Sequence, residues 1–214
     1  KQPTLVNGKL SWKELPKESG DESVVRRIES PFNESGGLRL LKGNIGRSVI
    51  KISAVPEDKH IIEAPALIFN SQEELLLAFD EEKLDQDFIA VIRFQGPKAN
   101  GMPELHKLTS PINVLQKRGY NIALVTDGRM SGASGSFPAL IHAVSENGNL
   151  YKIRTGDMLT LDLEKAKLTI EDQNLENRES IQISPSNHGL GRELFKIFRD
   201  NVSSVKLGAT IFND

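Results

Sequence analysis

Phe88-Ile89-Ala90-Val91-Ile92-Arg93-Phe94 is an almost unbroken apolar run, the pattern of a strand covered on both faces. A polar loop follows it, Gly96-Pro97-Lys98-Ala99-Asn100-Gly101-Met102-Pro103-Glu104. Pro103 suits the first turn of a helix, and Leu105, Leu108, Ile112 and Leu115 then recur every three or four residues. Lys117, Arg118 and Gly119 give that helix a basic, glycine-ended C-terminus. Asn121 to Val125 reads as the next strand. Strand, helix and strand over 88–125 make a βαβ unit, right-handed by the rule that governs such crossovers.

Working outward, Arg47 to Val55 alternates as a strand closed by Pro56, and Ala66 to Phe69 is a second short strand. Ser71-Gln72-Glu73-Glu74 is a capping box, and Leu75, Leu76 and Phe79 follow at helical spacing, which predicts a helix over 72–80. Phe137 to Val144 suits strand or helix, with the small residues at 132–136 favouring a helix start. Asp157 to Leu163 and Lys167 to Ile170 alternate about a turn and predict a hairpin; Gly191 to Arg199 predicts a closing helix carrying Leu194, Phe195, Ile197 and Phe198. Residues 1–40 are polar and irregular, with weak helical periodicity near Asp21 to Ile28. They read equally as a linker arm or as a loosely packed first helix. The elements predict an α/β chain, a mixed sheet or barrel with a few covering helices.

The chain has 214 residues, of which 38% are hydrophobic and 26% charged, a soluble globular composition. A formal net charge of -2, with Lys and Arg scattered among acids, argues against a nucleic-acid binder or a polybasic membrane tether. No apolar run approaches the roughly 18 residues of a membrane span, and no signal peptide opens the chain, so the cytoplasm is the default compartment. There is no cysteine, which removes disulfides, thiolate zinc sites and thiolate-held iron–sulfur clusters from these residues. The chain opens on Lys1, which reads as the continuation of something upstream.

A second polar loop, Thr126-Asp127-Gly128-Arg129-Met130-Ser131-Gly132-Ala133-Ser134-Gly135, leaves the strand Ile122 to Val125. Both loops depart from strand ends, the edge where α/β sheets bind ligands. Hydroxyls and backbone N–H groups around Ser131 can hold an anion or present a serine as nucleophile or base. A bare serine has no basicity, so a base role needs a metal or a strong local field. The loop is neither Walker A nor GxGxxG, and taken alone reads as a turn about as readily as a site. Glu104 sits where a helix dipole favours an acid whatever its function, and otherwise offers a hard ligand of the kind Mg²⁺ takes. Asp127 is a ligand or an Asx-type turn former. The histidines His60, His106, His142 and His188 show no metal-ligand spacing; His106 alone lies near the loops in sequence. Gly189-Leu190-Gly191-Arg192-Glu193 reads as an anion-binding helix start or as a plain turn.

The two loops, with Leu105-His106-Lys107-Leu108-Thr109 after the first, closely resemble the C-terminal part of the iron–sulfur family that unites the dihydroxy-acid and phosphogluconate dehydratases. Gly43-Asn44-Ile45-Gly46-Arg47-Ser48-Val49-Ile50-Lys51 is similar to the segment that opens that domain. The resemblance covers roughly residues 36–214. Met130 before the serine and Ala99-Asn100-Gly101 in the first loop match the phosphogluconate branch. The branched-chain members usually show Phe and Gly-Gly-Pro-Gly at these places.

The resemblance implies a β-barrel-like swivelling domain with flanking helices, and a hydro-lyase converting 6-phospho-D-gluconate to 2-keto-3-deoxy-6-phosphogluconate in the Entner–Doudoroff route. It implies Ser131 as the base taking the C2 proton and Glu104 as a Mg²⁺ ligand. Arg129, Ser134, Lys98 and Asp127 are implied as substrate contacts. It also implies an iron–sulfur cluster (4Fe-4S) held by cysteines of an N-terminal domain this chain lacks, and a homodimer in the full-length enzyme. On that reading residues 1–40 are an arm from the missing domain, 41–214 are the dehydratase domain, and the chain alone is inactive. The alternatives are a dihydroxy-acid or sugar-acid dehydratase domain and a non-catalytic phosphate-binding module.

Overall fold

Asn7-Gly8 is a two-residue turn with both φ angles positive (52° and 75°), the backbone that a tight hairpin requires. It joins β1 (Gln2–Val6) to β2 (Lys9–Lys13), paired antiparallel from Gln2 opposite Lys13 to Val6 opposite Lys9. The computed structural model describes residues 1–32, 34, 36–53, 55–131, 137–145, 147–182, 188, 189 and 191–212. It divides the chain into two compact units, 1–36 and 37–214. In the first, the weak helical signal near Asp21 is a single turn, with the Val25 N–H donating to Asp21 O at 3.0 Å and the Ser23 N–H to Asp21 Oδ1 at 2.8 Å. The Asp21 side chain caps this single turn by accepting one of its first backbone N–H groups.

The second unit is a closed eight-stranded barrel, mixed in direction and flanked by a few helices. Its elements are β3 (Leu38–Gly43), β4 (Gly46–Lys51), β5 (Ile61–Phe69), α1 (Gln72–Asp80), β6 (Phe88–Ile92), α2 (Thr109–Lys117), β7 (Ile122–Thr126), β8 (Ala139–Val144), β9 (Met158–Asp162), β10 (Lys167–Ile170) and α3 (Lys196–Asn201). Around the barrel they follow the order β10-β3-β4-β8-β7-β6-β5-β9. Strands β5, β6, β7 and β8 are parallel neighbours; β3 with β4, β4 with β8, β5 with β9 and β9 with β10 are antiparallel.

Alternation along the parallel strands divides the core in two. Ile89, Val91, Ala123, Val125 and Leu140 fill the barrel with Leu41, Ile50, Leu159, Leu161 and Leu168. Phe88, Ala90, Ile92, Ile122 and Leu124 point outward and are covered by Leu75 of α1 and by Ile112 and Leu115 of α2. Every residue of β6 and β7 is buried, which is why their sequences show no polar alternation.

The barrel closes where β3 meets β10. The Lys42 N–H donates to Ala166 O at 3.0 Å, and the Asn44 side chain bonds both backbone groups of Ile170 (2.8 and 3.0 Å). A Cβ on Gly43 would lie 1.7 Å from the Leu168 carbonyl oxygen, so only glycine lets the seam close.

Several boundaries differ from expectation. The strand ending at Phe69 starts at Ile61, not Ala66, because Pro65 lies where β5 leaves β9 and joins β6. A proline tolerated at such a change of partner looks like a strand breaker in sequence. The strand expected from Arg47 to Val55 ends at Lys51. Residues 139–144 are strand, not helix. The closing helix begins at Lys196, and Leu194, Phe195, Ile197 and Phe198 are exposed rather than packed (73, 54, 67 and 45%). No described helix is long and apolar enough to cross a membrane.

Candidate functional site

The C-terminal ends of β6 and β7 lie side by side, so the loops that leave them meet on one rim. The Gln95 N–H donates to Asp127 Oδ1 at 2.9 Å, and the Tyr151 hydroxyl donates to Asp127 Oδ2 at 3.0 Å. Asp127 is buried, and burial pushes its carboxyl above the ordinary value against the lowering effect of these donors. Burial, followed by the neighbouring Asp127 charge, raises the Tyr151 hydroxyl as well. Tyr151 in turn stacks on Phe94, with ring centroids 5.0 Å apart. A Cβ on Gly128 would lie 2.6 Å from Gln95 Cβ, so this glycine lets the two loops touch.

Further along, the first loop crosses the second. Glu104 and Arg129 form a parallel bridge, with the Leu105 N–H donating to Arg129 O at 3.3 Å. Arg129 donates from Nε to Met102 O at 2.9 Å and from Nη1 to Glu104 Oε2 at 2.7 Å. The other Glu104 oxygen, Oε1, accepts the Ser131 backbone N–H at 2.6 Å. Arg129 and Ser131 therefore share one carboxylate that lies 25 and 27 positions before them in the chain. Glu104 is not in a helix: a 3-10 turn covers His106–Leu108 and α2 starts at Thr109. The helix dipole does not account for this acid; the cross-loop bridge does.

The other sequence candidates fall in different places. Lys98 is exposed in the turn after Gly96, whose carbonyl accepts the N–H groups of Asn100 and Gly101 (3.0 and 3.1 Å). Ser134 lies outside the described residues. Asp127 has both oxygens engaged by the protein, so it ties the rim together. His106 is exposed. Gly189 does not open an anion-binding helix: its N–H donates to Glu193 Oε1 at 2.9 Å, and turns separate it from α3.

Four residues that the sequence did not single out complete the rim. The Gln95 side chain donates to Asn70 O and Arg93 O, both at 2.9 Å, and accepts from Asn100 Nδ2 at 3.1 Å. Arg93 is buried and donates to Asn70 Oδ1 and to the carbonyls of Tyr151 and Ile153. Tyr151 comes from a 3-10 turn 24 residues beyond Asp127. His142 is half-buried; burial first and the Arg129 charge second hold it below the usual imidazole range, and its Nδ1 has no hydrogen-bond partner among the described residues. Only its positive φ of 53°, shared with Phe94 (62°) and Met102 (54°), marks it, and backbone angles are invisible in sequence. Such strained non-glycine residues gather at functional rims.

Among the described residues no three His, Cys, Asp or Glu side chains converge as a metal cage. Glu104 offers one partly exposed hard carboxylate, which suits a Mg²⁺ that keeps several waters and takes one or two carboxylates. Its two oxygens already accept from Arg129 and the Ser131 N–H, so it fits as one ligand of a shared site through their remaining lone pairs. With no cysteine in the sequence, these residues offer no thiolate to an iron–sulfur cluster.

Residues 23–209 match the family model described as the C-terminal domain of the dihydroxy-acid/6-phosphogluconate dehydratases. The chain is 46% identical to a phosphogluconate dehydratase of Pseudomonas aeruginosa, with 100% of the chain aligned to 36% of that protein. It is 46% identical to the phosphogluconate dehydratase of Escherichia coli, over 98% of the chain and 36% of that protein. A dihydroxy-acid dehydratase of Sulfurisphaera tokodaii is 36% identical over 89% of the chain and 34% of its own length. The chain spans about a third of the length of these curated relatives.

Proposed function

Since this chain belongs to the dihydroxy-acid/6-phosphogluconate dehydratase family, matching its C-terminal domain, we propose that it serves a hydro-lyase acting on 6-phospho-D-gluconate. The product is 2-keto-3-deoxy-6-phosphogluconate. The unit from residue 37 onward, which includes β3, is the dehydratase domain, and the residues before it are the segment that joins it in sequence to an N-terminal domain. The complete enzyme is a cytoplasmic homodimer, and the exposed apolar side chains Leu194, Phe195 and Ile197 support a further covering surface. The higher identity to phosphogluconate dehydratases (46% against 36%) favours the phosphorylated sugar acid, with a branched-chain dihydroxy acid as the second reading.

The observation that carries the proposal is the shared carboxylate: Glu104 holds Arg129 at 2.7 Å and the Ser131 backbone at 2.6 Å. It fixes a serine, a guanidinium and a hard acid on one rim. A bound iron–sulfur cluster, held by the N-terminal domain, and Mg²⁺, with Glu104 among its ligands, supply the Lewis acidity that makes a serine hydroxyl acidic and a hydroxyl a leaving group.

Within this chain, the Ser131 oxygen accepts the proton from C2. The electron pair left at C2 forms the C2–C3 double bond as the C3 hydroxyl departs; that hydroxide takes the proton back from Ser131 and leaves as water, which restores the base, and the enol then becomes the ketone. Arg129, held by Met102 O and Glu104, presents positive charge to the substrate carboxylate. Lys98 and Ser134 add polar contacts. Asp127 positions the loops through Gln95 and Tyr151.

The test is Ser131→Ala in the complete enzyme. Turnover should fall about 10²–10⁴-fold, as for loss of a general base, with substrate affinity within a few-fold. Lost affinity with turnover intact at saturation would instead identify a phosphate-binding module. Preferential turnover of a branched-chain dihydroxy acid would move the chain to the other branch.

A further inference from the structure

A cavity of about 480 Å³ lies between the Pro97–Met102 turn and the C-terminal segment; its lining includes Asn100, Met102, Arg192, Phe198 and Arg199. We propose that this cavity receives the phosphate end of the substrate, with Arg199 and Arg192 as its cationic donors. The inference rests on the phosphorylated sugar-acid reading and extends it to a specificity site.

Arg199 carries the argument. It is half-buried, and its Nη2 is fully shielded from water with no hydrogen-bond partner among the described residues. Nη2 is closed to any ligand, so a phosphate in the cavity would bond the side of the half-buried guanidinium that remains open, giving a charge-assisted contact to a cation for which no protein hydrogen bond is found among the described residues. A planar guanidinium matches a phosphate's oxygens in a way that an ammonium does not. Arg192 is already oriented, donating to Asn100 Oδ1 at 3.3 Å and Ala99 O at 3.0 Å. It thereby ties the C-terminal segment to the first loop of the candidate site.

The surroundings suit an anion. Among the described residues no acid lines the cavity. Glu193, whose charge senses Arg199, spends Oε1 on the Gly189 N–H, and Asp200 is bonded by Lys196. The Phe195 and Phe198 rings, 5.9 Å apart, and Val202 and Ile211 supply the apolar part of the lining.

Placement supports a single substrate spanning both regions. Met102 lines the cavity and gives its carbonyl to Arg129, and it lies two residues from Glu104, so their Cα atoms are at most about 7 Å apart. A substrate with its reacting carbons at the rim and its far end running past Met102 would enter the cavity that Arg199 lines. A short branched-chain acid would leave the cavity unfilled.

The experiment compares 6-phospho-D-gluconate with D-gluconate on the complete holoenzyme, wild type and Arg199→Gln. The expected result is a tenfold or greater fall in the kcat/KM ratio favouring the phosphorylated acid, through KM, with Arg199→Lys retaining most of the preference. An unchanged ratio overturns the subsite, whether or not overall activity drops. A wild type that does not turn over 6-phosphogluconate overturns the functional reading itself. Thermal stabilisation by inorganic phosphate reads the same site without turnover. Loss of that shift in Arg199→Gln supports the subsite; an equal shift in both proteins, or none in wild type, overturns it.

Discussion

Strands β5 to β8 run parallel beneath α1 and α2, whereas β3, β4, β9 and β10 are joined by tight turns and leave their outward residues partly in water. Both sets build the same barrel interior, yet the polar machinery gathers at the first. A parallel strand must be followed by a crossover that returns the chain to the other end, so consecutive loops leave from one edge. The loops after β6 and β7 are such a pair, and the ends of β5 and the 3-10 turn bearing Tyr151 add Asn70 and Tyr151 to the same rim. An antiparallel pair alternates its turns between the two edges. Its short connections, such as Asn44-Ile45 between β3 and β4, are occupied with closing the barrel.

If this contrast holds, removing one rim side chain should cost more than removing a turn former from the antiparallel set. Asp127→Ala orphans two donors, the Gln95 N–H and the Tyr151 hydroxyl, at about 1–3 kcal/mol each. Asp162→Ala loses the turn bond from the Lys165 N–H (2.8 Å) and an exposed lysine, worth about 1 kcal/mol. Denaturant unfolding of both variants tests the ranking; equal losses would break the comparison. Asp127→Asn sharpens it. An amide keeps one acceptor for Gln95 and removes the cost of ionising a buried acid, so it should lose less than half as much as alanine.

Activity should divide the same way. Glu104→Gln in the complete enzyme keeps the shape of the side chain but not its charge, and turnover should drop about 10–100-fold or more, the usual cost of disturbing a metal-site carboxylate. Arg178→Gln, which breaks a two-pronged pair with Asp157 at the start of β9 (2.6 and 3.0 Å), should leave kcat within twofold. Comparable losses of kcat in both variants would mean that the rim has no special role.

Gly128→Ala is expected to cost about 1–3 kcal/mol, because the new methyl would lie 2.6 Å from Gln95 Cβ, a neighbour without a flexible end to swing aside. Retained stability with unchanged activity would show that the loops need not approach so closely.

The sequence disclosed these regions unequally, for identifiable reasons. The helix 72–80 is legible to the residue because its start is local: Ser71 Oγ accepts the Glu74 N–H, and Glu74 returns a bond to the Asn70 N–H. The βαβ unit is legible because burial on both faces leaves unbroken apolar runs. Asn7-Gly8 was equally local and equally readable, yet the polar composition around it masked the hairpin signal. Pro65 misled because its partner switch is a property of neighbouring strands, not of its own segment. At the site, Ser131, Arg129 and Glu104 are exposed polar residues on loops and stand out. Gln95, Tyr151, Arg93 and His142 owe their roles to contacts across 20 to 60 residues, or to a left-handed backbone, and nothing nearby in sequence marks them.

The smallest expected effect concerns acid. Burial alone would raise the Asp157 carboxyl, but the bonds from Arg178 and from the Arg154 N–H outweigh it and hold the group below 3.8, its ordinary value. A carboxyl depressed on folding contributes stability that is complete above the unfolded value and is lost as pH falls through the folded one. Wild-type stability should therefore decline from about pH 4 downward in part through Asp157, by about 1 kcal/mol or less once solvent screening is allowed for. Asp127 acts in the opposite sense: its raised carboxyl favours the folded state at low pH and loses that contribution as pH rises through the folded value. Asp157→Asn should flatten the acid limb of the stability curve, and Asp127→Asn should lower stability at pH 3 relative to pH 7. Parallel curves for the two variants would mean that the antiparallel edge and the candidate-site rim are not tuned differently, and the contrast between them would be one of topology alone.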